Sequence, residues 1–227
     1  MIFERLQESF RFWWQHLAAI ALVALPYSLL GSGASLLFGP PLVLDGDTPT
    51  SINGVTLAAI LVVRTLAEGA LIVQLAAILA GRPRSLGECA LLSLTLAPAL
   101  LLCNLAILTA TSLGLLLFIL PGVWIFVRLA LAPFLIVLEQ QSPLVALQQS
   151  LERTRHIQWE LMAAWLGLML TVLMASNIVG VLLINLIGSH AGTSVLLDLF
   201  TALAGALLQV LLFRYYGLSK PSAPPEL

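Results

Sequence analysis

The run VTLAAILVVRTLAEGALIVQLAAIL, Val55 to Leu79, followed by Ala80 and then Gly81-Arg82-Pro83-Arg84, decides what kind of chain this is. A helix needs about 20 predominantly apolar residues to cross roughly 30 Å of hydrocarbon, and this run is long enough. Glycine, proline and two cations then stop it. Working outward, the same pattern recurs at residues 17–38, 89–108, 112–138, 161–186 and 193–213, which predicts six spans. The first is interrupted by Pro26 and Gly31 and is followed by a polar stretch, Asp45 to Asn53, expected as a loop. Thr109-Ala110-Thr111 divides the third span from the fourth, and Gly188 to Gly192 divides the fifth from the sixth. Proline removes a backbone donor and clashes with the preceding turn, so kinks are expected at Pro26 and at Pro121-Gly122. Composition agrees: of 227 residues, 60% are hydrophobic and 9% charged, with a mean hydropathy of +1.04, where soluble domains carry about 25% charged residues. A water-soluble globule and a disordered chain are both excluded. The fold class that follows is an all-α integral membrane protein with six transmembrane helices and short cytoplasmic amphipathic helices in the interface. It forms one domain over residues 1–218, with a disordered tail at 219–227.

Orientation follows from the cations, because Lys and Arg near span ends are retained on the cytoplasmic side. Arg5 and Arg11 precede the first span and Arg82 and Arg84 follow the second. Arg153 and Arg155 lie between the fourth and fifth, and Arg214 and Lys220 close the chain. Arg128 falls near the inner end of the fourth span. Six crossings put these cations on one side, with both termini cytoplasmic. A cleaved signal peptide also begins with an apolar run, but this one is too long, its leader mixes Glu4 and Glu8 with Arg5 and Arg11, and no cleavage-like site follows. A retained first helix is therefore expected. Each pair of spans is preceded by a short polar segment: Leu6-Gln7-Glu8-Ser9, Leu86-Gly87-Glu88-Cys89 and Leu147-Gln148-Gln149-Ser150.

Two of the polar segments read as interfacial helices. In the first, Phe3, Leu6, Phe10, Trp13, Trp14 and Leu17 recur at steps of three and four, opposite Glu4, Arg5, Glu8, Arg11 and Gln15. In the second, Ser142 stands where a cap is needed and Pro143 at the first helical position; Leu144, Leu147 and Leu151 oppose Gln148, Gln149, Glu152 and Arg153. Trp159 follows at headgroup depth. These segments either fix the orientation of the spans or, through Arg153 and Arg155, offer a surface to lipid headgroups or a partner.

Inside the membrane, Arg64 and Glu68 are four residues apart on one helix face. An isolated charge at such depth costs about 2.5 to 3.5 kcal/mol, so both are expected to face protein and to pair. The pair reads as a self-neutralising structural element, with Asp198 as a further acid within reach of Arg64. A translocation or proton-relay role and recognition of a partner remain as alternatives. Gln74, Asn104, Asn177, Asn185 and Gln209 are expected as interhelical hydrogen-bonding residues. Cys89 and Cys103 stand about 21 Å apart along one helix, too far to bridge.

Enzyme signatures are missing from the sequence. His16, His156 and His190 are scattered, and there is no HExxH, CxxC, GxSxG or Walker loop. Asp45-Gly46-Asp47 resembles the start of a calcium loop, but Pro49 interrupts the ligand series and Thr56 stands where the bidentate Glu belongs. No cofactor and no metal are expected, and the even charge balance of 10 Lys and Arg against 11 Asp and Glu gives no hold on nucleic acid. The expected partners are membrane phospholipids, with another envelope membrane protein as the second candidate.

Leu120-Pro121-Gly122-Val123, Ala130-Leu131-Ala132-Pro133 and Ser150-Leu151-Glu152-Arg153-Thr154, together with Gly69 to Gln74 and Leu211-Leu212-Phe213-Arg214-Tyr215, carry a family likeness. Their order and spacing from Gly69 to Leu218 resemble the YciC family of bacterial inner-membrane proteins. More distantly they are similar to the membrane domain attached to some glycerophosphodiester phosphodiesterases. The resemblance implies an all-helical inner-membrane protein linked to envelope upkeep, brings no catalytic residues, and has no counterpart for Arg64 and Glu68. Reporter fusions at the two termini are expected to report the same compartment; opposite compartments would overturn the even number of crossings.

Overall fold

The computed structural model describes residues 2–45, 48–188 and 190–219. Two short helices and six spans follow the sequence pattern. In chain order the elements are α1 (Ile2–Gln15), α2 (Leu17–Phe38), a hairpin of β1 (Leu42–Asp45) and β2 (Thr48–Ile52), and α3 (Gly54–Leu79). Then come α4 (Leu86–Leu117), α5 (Ile119–Leu129), α6 (Ala132–Glu139), α7 (Pro143–Thr154), α8 (Gln158–Ile187) and α9 (Ala191–Ser219). Helices α2, α3, α4, α8 and α9, and the stretch Ile119–Glu139 that α5 and α6 share, are long and apolar enough to cross a membrane. The chain is an all-α, multi-pass membrane protein.

Local chemistry sets the helix ends. Asn53 accepts from the Thr56 N–H at 3.2 Å and opens α3, and its amide donates to Phe38 O at the end of α2. Ser85 and Glu88 form a reciprocal capping box at the start of α4. Ser142 precedes Pro143 at the start of α7 as expected, but its hydroxyl makes no capping bond. The stretch expected as an outer loop instead pairs as an antiparallel hairpin, Leu42 opposite Ile52 and Asp45 opposite Thr48. Gly46 and Asp47 of the calcium-like triplet lie outside the described residues, as do residues 220–227 of the expected tail.

The third span is longer, and the fourth starts later, than the sequence pattern predicts. Thr109-Ala110-Thr111 lies inside α4. The Thr109 hydroxyl donates to Leu105 O at 2.8 Å, so its polarity is satisfied within its own helix and ends nothing. The chain reverses instead at Phe118, whose backbone is extended (φ −168°, ψ 160°). Pro121 therefore falls in the first turn of α5, where a missing N–H costs nothing, rather than at a mid-span kink. The break inside the fourth span comes later, at Ala130 and Leu131, with Pro133 near the start of α6. Helix α2 continues through Pro26, and α4 through Pro98.

Helix α6 forms the centre of the bundle: Ala132 to Val137 are all buried, with Phe134 and Leu135 fully so, against α3, α4 and α7. Leu37, Leu116 and Leu186 are among the leucines facing outward, each at least 80% exposed, as expected of a surface facing lipid. Where helices approach closely the contact is made by small residues. Gly69 on α3 lies against Ser93 of α4, whose hydroxyl donates to Leu66 O at 2.7 Å.

Gly114 and Gly122 set the α4–α5 approach. A Cβ on Gly114 would come within 2.8 Å of the Gly122 Cα, and one on Gly122 within 2.8 Å of the Leu115 backbone nitrogen, so backbone would have to move. Gly114→Ala and Gly122→Ala are each expected to destabilise by about 1–3 kcal/mol, read as a lower melting temperature in detergent. Gly87→Ala, where nothing lies within 4 Å of the added carbon, should leave it unchanged or raise it. Equal effects at the three positions would refute the close approach.

Candidate functional site

Three polar assemblies and a separate glutamine junction take up some of the residues that the sequence singles out and leave others outside. The first lies within the membrane-spanning region. Glu68 on α3 accepts from the Asn104 amide of α4 at 2.8 Å and from the Gln209 amide of α9 at 3.2 Å, one on each carboxylate oxygen. Asn104 also donates to Thr65 at 3.2 Å. The partners of the carboxylate are amides from two neighbouring helices, not Arg64. Arg64 is exposed and forms no ion pair with Glu68, because its side chain leaves α3 on the outward side. Asp198, the other expected partner of Arg64, accepts instead from the Ser32 hydroxyl of α2 at 2.6 Å. Gln209 Oε1 is buried without a hydrogen-bond partner.

Gln74 forms a separate junction nearer the end of α3. Its side chain is buried; Nε2 donates to Ala19 O of α2 at 3.5 Å, and Oε1 accepts from Arg84 N at 3.1 Å and from the Cys89 thiol at 3.3 Å. One amide thus joins α2, the turn after α3, and α4. Cys89 and Cys103 are both free and buried. Asn177 donates to Leu173 O of its own helix at 2.8 Å, and Asn185 is exposed.

The second assembly gathers at the end of the bundle where α3 and α9 finish and α8 begins. Arg153 grips Glu139 through two parallel bonds of 2.7 and 2.8 Å. Tyr216 of α9 donates to the same carboxylate at 2.8 Å, and Gln141 donates to it at 3.0 Å. The hydrogen bonds that Arg153 donates to Glu139 hold the arginine pKa above its ordinary value, against the opposing effect of burial. Arg153, expected on a lipid or partner surface, is instead the clamp that ties α7 to α6 and α9. Glu139 and Tyr216 are absent from the sequence reading; the available signal was an acid closing the fourth apolar run.

The third assembly docks α1. Arg5 pairs with Glu160 of α8 at 3.2 Å and lies over the Tyr215 ring at 5.2 Å, while Glu8 pairs with Arg214 of α9 at 2.6 Å. The Trp13 indole donates to Leu203 O at 3.1 Å. Arg5 and Trp13 are thus engaged within the protein, and α1 is fastened along α8 and α9 rather than lying apart in the interface. Arg11, Arg155, Trp14 and Trp159 stay exposed, and the two arginines make no ion pair among the described residues. Beside α1, a groove of about 790 Å³ opens toward α8, lined by Phe10, Arg11, Trp14, Gly167 and Thr171 among others. A second, of about 580 Å³, lies between Phe12, Leu79 and Tyr216. None of Glu68, Asn104 and Gln209 lines either.

Among the described residues no group of three or more His, Cys, Asp or Glu is placed to hold a metal. The chain matches no family model, no curated protein and no solved structure.

The geometry around Glu68 fixes the sign of a double-mutant cycle. Glu68→Leu and Asn104→Leu are expected to couple by about 0.6–1.7 kcal/mol in unfolding free energy, the range found for hydrogen bonds between membrane helices. Glu68→Leu and Arg64→Leu should couple more weakly than that, since Arg64 acts on the carboxylate only through space. Coupling to Arg64 with none to Asn104 would restore the ion pair predicted from spacing.

Proposed function

We propose that this is a non-enzymatic protein of the bacterial inner membrane, related to the YciC family, that supports envelope organisation through contacts with phospholipid or another membrane protein. Its arginine-bearing end, carrying both termini, faces the cytoplasm. One observation carries the reading: both oxygens of the intramembrane carboxylate of Glu68 are engaged by neighbouring helices, whereas cations and aromatic rings at the arginine-bearing end are left exposed. Glu68 is held by amides from two neighbouring helices and opens onto neither large groove. Arg11, Arg155, Trp14 and Trp159 face outward, and indole rings with basic side chains suit the headgroup region. A carboxylate held in this way suits a scaffold.

A second reading, a small transporter or lipid-handling protein with a polar site at mid-membrane, draws support from the unpartnered Gln209 Oε1 beside Glu68. Broken helices lining a cavity would favour it further. Helix α2 runs on through Pro26, however, Gly122 is packed against α4, and neither Pro26 nor Pro121 lines either of the two grooves.

Reconstitution separates the two. In liposomes carrying an imposed pH gradient and an internal pH-sensitive dye, the protein is expected to dissipate the gradient no faster than protein-free liposomes. A leak abolished by Glu68→Leu would replace the scaffold reading with transport. Extracted in mild detergent, the protein should carry phospholipid or a partner protein into native mass spectrometry, and recovery of bare chain would count against the proposal.

A further inference from the structure

The groove between α1 and α8 has the features of an amphiphile site. Gln7, Arg11 and Gln15 are spaced four residues apart, so they form a polar row on one side of α1, and all three line the groove. No acidic residue lines it, and Arg11 has no ion-pair partner among the described residues, although Arg5, Arg153 and Arg214 are all paired within the protein. The remaining lining is apolar or aromatic, from Leu6, Phe10, Trp14, Leu168 and Leu207. Gly167 on the α8 side has nothing within 4 Å of where its Cβ would stand, which keeps the groove open.

The groove continues into a track. From Gly167 and Thr171 the same side of α8 runs on to Met174, which is well exposed. Thr171 adds no polarity, because its hydroxyl donates to Gly167 O at 2.8 Å. At roughly 1.5 Å per residue, Gly167 to Met174 spans about 10 Å of open surface, which brings the track to mid-membrane. Depth agrees with the chemistry. Helix α8 has 30 residues, about 45 Å at that rise, and so exceeds a hydrocarbon core of roughly 30 Å by about 15 Å. Centred on the bilayer, it puts Gly167 about 7 Å inside the boundary and Met174 near the midplane, within reach of an arginine that extends toward the headgroups.

Deepening the phospholipid contact proposed above, on which it rests, we propose that this groove holds one anionic phospholipid of the surrounding bilayer. The phosphate sits on the Arg11 guanidinium, with the Gln7 and Gln15 amides as further donors, and an acyl chain follows the α8 track. Charge decides the class: an unpaired cation in a groove without acids attracts an anionic headgroup more strongly than a zwitterionic one.

Detergent-purified protein titrated with phosphatidylglycerol, and separately with phosphatidylcholine, in native mass spectrometry tests this. The wild type is expected to take up one phosphatidylglycerol in preference to phosphatidylcholine. Arg11→Ala should weaken that uptake about tenfold, equivalent to about 1.4 kcal/mol. Gly167→Phe, which fills the groove, should abolish it without touching the cation, and Arg82→Ala, in the exposed turn after α3, should change nothing. Wild-type uptake that persists in both groove variants, or equal uptake of the two lipids, overturns the groove assignment and leaves general lipid contact standing. No uptake by the wild type, with no lipid or partner retained on extraction, overturns the contact reading as well.

Discussion

Hydrocarbon offers no hydrogen bonds, so a polar atom on a spanning helix is costly unless it finds a partner in the protein. Much of the side-chain detail here follows from that requirement. Thr109, Thr171 and Asn177 meet it locally by bonding a carbonyl one turn back along the same helix. Gln74 is too long for that solution and turns toward neighbouring elements, which is why a single amide ends up joining α2, α4 and the turn between α3 and α4. Glu68 presents the hardest case. A carboxylate has only acceptors, so it draws one donor from each of two adjoining helices. Position along the sequence has little to do with which donors those are; what matters is which side of α3 faces α4 and α9.

At the arginine-bearing end the requirement relaxes, because water and headgroups are available, and charge takes over from amides. Two ion pairs fasten α1 to α8 and α9, and a bidentate arginine–carboxylate pair joins α6 to α7. Tyr216 extends that pair to α9. The paired geometry gives these contacts direction as well as energy, since an arginine fork fits a carboxylate in one plane. The consequence is an end of the bundle whose internal charges are consumed, so that the cations left over stand out as those with another task.

Much of this was legible in the sequence, for reasons that differ by feature. Six spans could be read because hydrocarbon thickness imposes a length, and a length survives in a sequence however the helices pack. The division between the third and fourth spans could not, because Thr109 and Thr111 carry a polar signal that the helix itself absorbs, whereas the actual turn at Phe118 carries no polar signal at all. Spacing put Arg64 and Glu68 on one face, but a face four residues deep does not say which neighbour it meets, so the pairing went to the wrong partner. Arg153 was noticed as a cation without its acid, since Glu139 closes an apolar run and looked like the end of a span. Gln74, Asn104 and Gln209 were legible as interhelical partners because a polar amide inside the membrane must bond somewhere, but the sequence did not say to which residue.

Helix α1 carries the physical argument furthest. Its charged residues Arg5 and Glu8 turn toward protein, while Phe3, Phe10 and Trp14 are each more than half exposed. In water that arrangement would be costly, at about 25 cal/mol for each Å² of apolar surface left wet. Next to lipid the balance reverses: the apolar side has nothing to lose by facing outward, and the ion pairs gain strength as water withdraws from them. The helix is therefore oriented by the bilayer as much as by its contacts. Because Arg11 shares the helix with Phe10 and Trp14, the force that turns those rings outward also holds an unpaired cation at the rim of a groove that lipid can enter.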